Sequence, residues 1–405
     1  MGNKKTYLDG AANTPLDKNV RKAMRPYLSP SFVGNSMAAH DHGIAASIAV
    51  GTARCKIAMA VGVDPGDVFF TSGATESNNW VIKSVAQRIL EEKNEQVIIC
   101  SATEHASVLN CCKQVEEWGV RVIYVTPANK IRLDLSDLTP YLSQKIALVC
   151  VMATNNETGV FNRVNYITKT LKKLQIPSLV DCTQYVSMGG ENLHLAERFP
   201  YATFMTFSGH KIYGPTGTGC LITRSPSLLK PLIVGGGQER GLRGGTTNVA
   251  GVVGLGCAVE LLRNNTRLVD HYSKLAVYLV KKIKTLPNAK NIVCNVIPNQ
   301  DNIWSINFSG VVNKQHLATD FALRRISVSA GSACDSQHDD IKGEFNPSHV
   351  LLVRGLKERE IRNTVRVSFT KYTTYKDIDN FIKAAKEIIN EEKQFIKNSS
   401  NFRSR

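Results

Sequence analysis

Thr203-Phe204-Met205-Thr206-Phe207-Ser208-Gly209-His210-Lys211-Ile212-Tyr213-Gly214-Pro215-Thr216-Gly217-Thr218-Gly219 is the stretch around which the chain is organised. It reads as an apolar strand that stops at Ser-Gly-His-Lys. A Gly- and Pro-rich turn follows, then a second strand from Cys220 to Thr223. A lysine closing a buried strand, beside a histidine and a hydroxyl, can form a Schiff base with a carbonyl cofactor such as pyridoxal phosphate. The plain alternative is a surface lysine at a strand end. The neighbouring segments decide between the two.

Working outward, apolar runs at Val68–Phe70, Val97–Cys100, Arg121–Val125, Ile146–Met152, Ser178–Asp181, Ala202–Phe207 and Gly219–Thr223 read as strands. Helical patterns separate them: residues 44–61, the segment carrying Val81, Ile82, Val85, Ala86, Ile89 and Leu90, then Glu104–Val115 and Asn165–Leu174. Strands apolar on both faces that alternate with helices predict an α/β fold, a mainly parallel sheet sandwiched by helices. Ligands of such sheets bind beyond the carboxyl ends of the strands. That rule collects His105, Asn155, Asn156, Asp181, Gln184 and Lys211 at one rim. Thr71-Ser72-Gly73-Ala74-Thr75-Glu76-Ser77 joins a strand to a helix N-terminus, where backbone N–H groups and hydroxyls cradle an anion. We assign a cofactor phosphate to it, against the alternative of an ordinary capped helix.

From about residue 260 the pattern becomes α+β. A helix through Leu275–Ile283, a strand at Asn302–Phe308, a helix at Gln315–Leu323, a short segment at Ile326–Ser329 and a strand at Val365–Phe369 lead to a last amphipathic helix. That helix carries Ile378, Phe381, Ile382, Ala385, Ile388 and Ile389. The expected organisation is a large domain over 15–260 and a small α+β domain formed by 1–14 and 261–405. The 405 residues are too many for one small core.

The composition, 43% hydrophobic and 21% charged, is that of a globular protein. The net charge of +16 is dispersed, with a modest concentration at Lys393, Lys397, Arg403 and Arg405. No basic helix interleaves with aromatics, so a solvated basic surface is expected and no nucleic-acid partner. No run is read as long enough to cross a bilayer, and no apolar signal core opens the chain. Gly2 makes only a partial acylation-like start. A cytoplasmic location without membrane association is expected. Ten cysteines are scattered without a Cys-x-x-Cys pair, which reads as free thiols in a reducing compartment and no metal site.

Asp181 closes a buried strand, where a carboxylate needs a partner. A pyridinium nitrogen is a suitable one, because the carboxylate keeps that ring protonated and electron-withdrawing. His105 can stack on the ring face and Gln184 can hold the ring hydroxyl. Helix capping and a surface amide are the plain readings of those two residues, and their coincidence with Lys211 outweighs these.

At this point the sequence resembles the NifS-type cysteine desulfurases and the related selenocysteine lyases, pyridoxal 5'-phosphate enzymes of the fold-type I, class V aminotransferase fold. The match runs from about Tyr7 to about Ile389. Its motifs are Tyr-Leu-Asp-Gly-Ala-Ala at 7–12, Thr-Ser-Gly-Ala-Thr-Glu-Ser at 71–77, Thr-Glu-His at 103–105, Asn-Asn-Glu-Thr-Gly at 155–159 and Asp-Cys-Thr-Gln at 181–184. They continue with Ser-Gly-His-Lys-Ile-Tyr-Gly-Pro at 208–215, Gly-Gly-Gly-Gln-Glu-Arg at 235–240 and Gly-Ser-Ala-Cys at 331–334. The resemblance implies that Lys211 is the Schiff-base lysine and Cys334 the persulfide-forming nucleophile, with His105 taking part in the chemistry. Ala74, Thr75, Ser208 and His210 would hold the phosphate, with Asp181, Gln184 and His105 around the ring. It implies that Thr246 reaches the phosphate of a second subunit, hence a homodimer. Asn35, Asn156 and Arg366 match groups that hold the substrate amino acid, and a guanidinium fork suits its carboxylate.

Cys334 lies among small polar residues, Ser329-Ala330-Gly331-Ser332-Ala333-Cys334-Asp335-Ser336, where an accessible thiolate is favoured. Three positions depart from the family pattern. Cys182 stands where Ala is usual against the ring; its polarizable sulfur can pack there with little loss, although it adds an oxidisable group. Gly34-Asn35-Ser36 replaces Gly-Asn-Pro. Asp335–Asn346 is longer than in compact desulfurases, and its acidic residues leave it little apolar surface to bury, so it is expected to be mobile. Cys-x-Ser-x-His-x-Asp at its start is similar to selenocysteine lyases. The preferred expectation is a cysteine desulfurase acting on L-cysteine and passing sulfur to an acceptor protein. The rival is a lyase acting on L-selenocysteine. A basic scaffold- or nucleic-acid-binding protein on a degenerate enzyme fold is a further rival, opposed by the intact Lys211, Asp181, His105 and Cys334. Iron–sulfur assembly, tRNA thiolation, DNA modification and selenium recycling are all open as destinations of the product.

Overall fold

The computed structural model describes residues 5–294, 302–331 and 346–403. Numbered along the chain, the strands are β1 (Thr6–Tyr7), β2 (Val68–Thr71), β3 (Val97–Ser101), β4 (Val122–Val125), β5 (Ile146–Met152) and β6 (Ser178–Asp181). They continue as β7 (Phe204–Ser208), β8 (Gly219–Thr223), β9 (Val293–Cys294), β10 (Ile303–Asn307), β11 (Ile326–Ser327) and β12 (Thr364–Ser368). The chain divides into two compact units.

The larger unit comprises Thr14–Asn155 and Phe161–Thr266. Its seven-stranded sheet has the order β2-β8-β7-β6-β5-β3-β4. Every neighbouring pair from β4 to β7 is parallel, while β8 is antiparallel to both β7 and β2. The carboxyl ends of all strands but β8 therefore share one rim, and β8 begins there. Strands β2, β3, β5, β6, β7 and β8 are buried along their whole length, as runs apolar on both faces require when helices cover the sheet. The helix Ala74–Glu92 buries Val81, Ile82, Val85, Ala86 and Ile89 on the sheet, and Trp80 meets Phe69 edge-on at 5.7 Å. Burying a side chain of this size stabilises the unit by roughly 1.5–3 kcal/mol.

The helix Asp41–Val61 has the length and apolarity of a membrane span, which corrects the expectation that no such run exists. Its Ala46, Ala49, Val50, Ala53 and Ile57 are buried, and Ala53 lies against the helix Val249–Arg263. A Cβ on Gly256 would come within 2.9 Å of the Ala53 Cα, so that close contact requires glycine. One face of the helix packs into the core, while Ile44, Ile48 and Met59 on the other are exposed. The helix Val249–Arg263 was not read from the sequence. Its Gly251, Gly254 and Gly256 lower helix propensity, and tertiary packing overrides that cost.

The smaller unit comprises 1–13, 156–160 and 267–405. It holds a three-stranded antiparallel sheet of order β12-β10-β9 and a parallel pair of β1 with β11. The first residues pack with the C-terminal part: β1 pairs with β11, and Asp9 bridges to Ser368. The helix Tyr375–Arg403 buries Ile378, Phe381, Ala385, Ile388 and Ile389, and Phe381 stacks on Phe321 at 4.9 Å. Short helices at His349–Val353 and Glu358–Arg362 carry too little periodicity to be read in advance.

Candidate active site

Three segments of the larger unit converge on the rim. The first is the turn after β2. The helix Ala74–Glu92 starts there without a side-chain cap, so the N–H groups of its first turn have no intrahelical acceptor. Ser208 Oγ, at the end of β7, accepts the Ala74 N–H at 2.8 Å, which leaves the hydroxyl proton for another acceptor. The strand start opposite must come close: a Cβ on Gly219 would lie 2.6 Å from the Gly73 Cα. Thr75 is exposed at the mouth of this cradle. Glu76 accepts from Ser72 N at 2.8 Å and from both Nε and Nη2 of Arg243, at 2.8 and 3.1 Å. Burial alone would raise the Glu76 carboxyl; the Arg243 and Ser72 hydrogen bonds overcome this and hold it below its ordinary value.

The second segment carries Lys211. After Ser208 the chain forms a single tight turn, Gly209–Lys211, and Lys211 is half-buried. A Cβ on Gly209 would lie 2.6 Å from Thr218 Oγ1, so only glycine fits where the strand turns. Thr14 staples the turn from outside. The carbonyl of His210 accepts from both Thr14 N (2.9 Å) and Thr14 Oγ1 (2.8 Å), and Tyr213 N donates to the same hydroxyl at 2.7 Å. Burial first, then the charge of Lys211 and the nearness of His105, push the His210 ring down to about 4. His210 is therefore neutral at physiological pH and offers a hydrogen bond rather than a charge.

The third segment holds the expected ring contacts. Asp181, at the end of β6, is buried; its Oδ1 accepts from Thr183 N and its Oδ2 from Asn78 Nδ2, both at 2.9 Å. His105 does not lie inside the following helix, as the sequence reading had it. It is the N-cap of Ala106–Glu117, with Nδ1 accepting from Ser107 N at 3.1 Å. Gln184 is buried in the turn beyond Asp181. Beside them, the Glu104 carboxyl accepts from Met152 N at 2.7 Å. Burial, aided by the charge of Asp181, pushes Glu104 well above the usual carboxylate range. Cys182 is fully buried and its thiol is pushed up by that burial, so it is a packing group, and the oxidisable character that its sulfur adds is shielded.

Two other expected residues of this unit lie on exposed loops. Asn35 is exposed, and its side chain accepts from Met37 N at 3.0 Å, closing its own turn. Thr246 is exposed on the glycine-rich loop after Arg243.

Within the smaller unit, Arg366 on β12 is 2% exposed. Its Nη1 donates to the Asn156 carbonyl at 2.9 Å, and its Nη2 to Asp9 Oδ1 at 2.8 Å and Ser329 Oγ at 3.2 Å. Its Nε has no hydrogen-bond partner among the described residues. Asn156 thus contributes its backbone here. Glu157 is buried beside it, bonded to Ser348 Oγ. Cys334 and the segment 335–345 lie outside the described residues.

The sequence assigns no role to Thr14, Asn78, Ser107, Glu104 or Asp9, although Asp9 and Glu104 stand within its motifs. A signal existed for Asn78: it falls three and four residues before Val81 and Ile82, a polar side chain on a buried apolar stripe. Thr14 and Asp9 carry no such pattern, because their partners are distant in sequence.

Among the described residues no group of His, Cys, Asp and Glu could hold a metal ion. The arrangement suits an anion at the cradle, a carbonyl at Lys211 and a cationic ring nitrogen at Asp181. The class-V aminotransferase family model matches residues 6–381. A cysteine desulfurase of a Nostoc species is 35% identical over 401 residues, covering 95% of this chain and 92% of its own. The mitochondrial cysteine desulfurase of Drosophila melanogaster is 35% identical over 381 residues, covering 92% of this chain and 78% of its own. A solved NifS-like protein is 31% identical, superimposes with a TM-score of 0.83 and covers 96% of this chain and all of its own. The mainly parallel sheet flanked by helices is thus the type I fold of pyridoxal-phosphate enzymes. The chain belongs to the class-V aminotransferase family.

Proposed function

We propose that this chain is a pyridoxal-phosphate-dependent cysteine desulfurase, which converts L-cysteine to L-alanine and receives the sulfur as a persulfide on Cys334. The observation that carries the cofactor is the meeting of the cradle, the stapled Lys211 turn and the buried Asp181 at one rim. When bound, pyridoxal phosphate supplies a carbonyl that condenses with amines and a ring that withdraws electrons from the substrate carbon. Thr75, the Ala74 turn, Ser208 and neutral His210 would hold its phosphate; Asp181 would hold its ring nitrogen, with Gln184 and His105 against the ring.

The remaining roles follow from the side chains. Lys211 is held by its turn where its amine removes and returns a proton at the substrate carbon. The Arg366 fork, fixed by Asp9 and the Asn156 carbonyl, suits the substrate carboxylate, with Asn156 and Asn35 as further substrate contacts. The Cys334 thiolate attacks the sulfur of cysteine: the S–S bond forms, the C–S bond breaks, and the carbon takes a proton to become alanine. The outer sulfur then passes to an acceptor protein bearing a nucleophile.

A homodimer is part of this reading. Ile44, Ile48 and Met59 form an exposed apolar stripe on the helix Asp41–Val61, which supports self-association through that face. Thr246 would then meet the phosphate of the partner subunit. The described cysteines form no disulfide, which supports a reducing compartment. The cytoplasm and the mitochondrial matrix both qualify.

The test is turnover by the purified protein. L-Cysteine should give alanine and, with a thiol reductant, sulfide in equal amounts. Lys211→Ala and Cys334→Ser should each abolish both products, with Cys334→Ser retaining the cofactor. Unchanged cysteine turnover by Cys334→Ser would end the persulfide mechanism.

A further inference from the structure

Asn78 is fully buried one turn into the helix Ala74–Glu92, and it joins three elements of the rim. Its Nδ2 donates to Asp181 Oδ2 at 2.9 Å and to Ser107 Oγ at 3.0 Å. Its Oδ1 accepts from Thr206 Oγ1 on β7 at 2.9 Å. Thr206 is the register partner of Asp181, so the amide bridges both strands and the helix cap beside them. The Asp181 carboxylate already accepts from Thr183 N on its other oxygen. A carboxylate only accepts, so the amide nitrogen faces Asp181, and both of its protons are committed.

The direction of every bond beyond it follows. Ser107 Oγ accepts from Asn78, so its own proton is free to go to His105 Nδ1, 2.9 Å away. The Ser107 backbone N–H, which can only donate, reaches the same Nδ1 at 3.1 Å. Two donors on Nδ1 leave it no proton of its own. A neutral imidazole in this position carries its proton on Nε2.

We propose that Asn78 is a positioning residue that couples the two ring contacts, presenting Asp181 as an acceptor at one end of the network and holding His105 as the neutral Nε2–H tautomer at the other. A pyridinium ring held between them would meet one acceptor at its nitrogen and an uncharged imidazole over its face. The assignment of a role toward the cofactor rests on the proposed function; the tautomer rests on the network alone.

The test has two arms. In the first, the full chain labelled with ¹⁵N-histidine is examined with and without pyridoxal phosphate by long-range ¹H–¹⁵N correlation. The signals of His105, one of nine histidines, are identified by their loss in His105→Gln. At neutral pH Nδ1 should resonate as the unprotonated nitrogen and Nε2 as the protonated one. An Nδ1–H tautomer or an imidazolium would overturn the proposal.

In the second arm, Asn78→Asp replaces the donor with an acceptor and turns the Ser107 hydroxyl away from Nδ1. It should shift the absorbance band of the bound cofactor and lower its retention on gel filtration at least tenfold, while Ser107→Thr keeps both as in the parent. An Asn78→Asp protein with parental circular dichroism, band and retention would overturn the coupling. If that variant does not fold, the first arm still decides. If the parent takes up no pyridoxal phosphate, the functional reading fails while the tautomer remains measurable.

Discussion

Replacing Asp9 with Ala isolates the pair on which the substrate-carboxylate reading depends. Arg366 is 2% exposed, and Asp9 is its only carboxylate partner among the described residues, at 2.8 Å. Removing one member of a buried pair costs about 3–5 kcal/mol, because the other charge remains buried. The Asn156 carbonyl and Ser329 hydroxyl stay in place as neutral acceptors, so we take the lower end, about 3 kcal/mol. For a domain of this size each kcal/mol is worth about 2–4 °C, giving a drop of about 6–12 °C in the melting transition of the smaller unit. Calorimetry of the cofactor-free chain reads it. Asp9→Asn keeps an acceptor for Nη2 and should lose about half as much. The sharper check is the double variant Asp9→Ala, Arg366→Met. With no charge left to strand, it should melt above Asp9→Ala alone, although it carries one more substitution. Additive losses, or an Asp9→Ala melt within about 2 °C of the parent, would refute the reasoning.

Three further outcomes are expected. His210 has a folded value of about 4 against an ordinary 6.5. Its neutral form is the one folding favours, so its contribution is complete above 6.5 and is lost as the pH falls toward 4; His210→Asn should flatten the fall in melting temperature across that window in cofactor-free protein. Glu104 shifts the opposite way: its folded carboxyl retains a proton that the unfolded chain gives up above about 4.5. Glu104→Gln, which keeps an acceptor for Met152 N, should therefore melt higher than the parent at pH 8 and gain nothing at pH 4. Thr14→Val strips the Lys211 turn of its hydroxyl and leaves Tyr213 N without its acceptor, at a cost of about 1–3 kcal/mol measurable by thermal melting, with slower recovery of the cofactor band on reconstitution.

What the sequence made legible was whatever is written locally. Strands buried on both faces announce themselves as continuous apolar runs, and from β2 to β8 the expected segments lie within two residues of those found. The direction of β8 is not local. Nothing in Cys220–Thr223 distinguishes a strand that returns antiparallel to β7 from one that crosses over, and the short glycine-rich connection that dictates the return also carries Lys211. The site divides in the same way. Ser208, His210 and Lys211 are neighbours in the chain, so one motif displays them together.

The residues that hold them are far away: Thr14 from His210 by 196 positions, Asn78 from Asp181 by 103, and Asp9 from Arg366 by 357. A threonine after an asparagine or an aspartate before a glycine reads as turn chemistry wherever it occurs. Only packing turns these residues into a staple and a counterion. Asn78 is the instructive intermediate, because its place on an apolar stripe signals a buried polar group whose partners must come from elsewhere. The stripe says that partners exist. The fold shows that they are Asp181, Ser107 and Thr206, and so makes a helix residue part of the ring site.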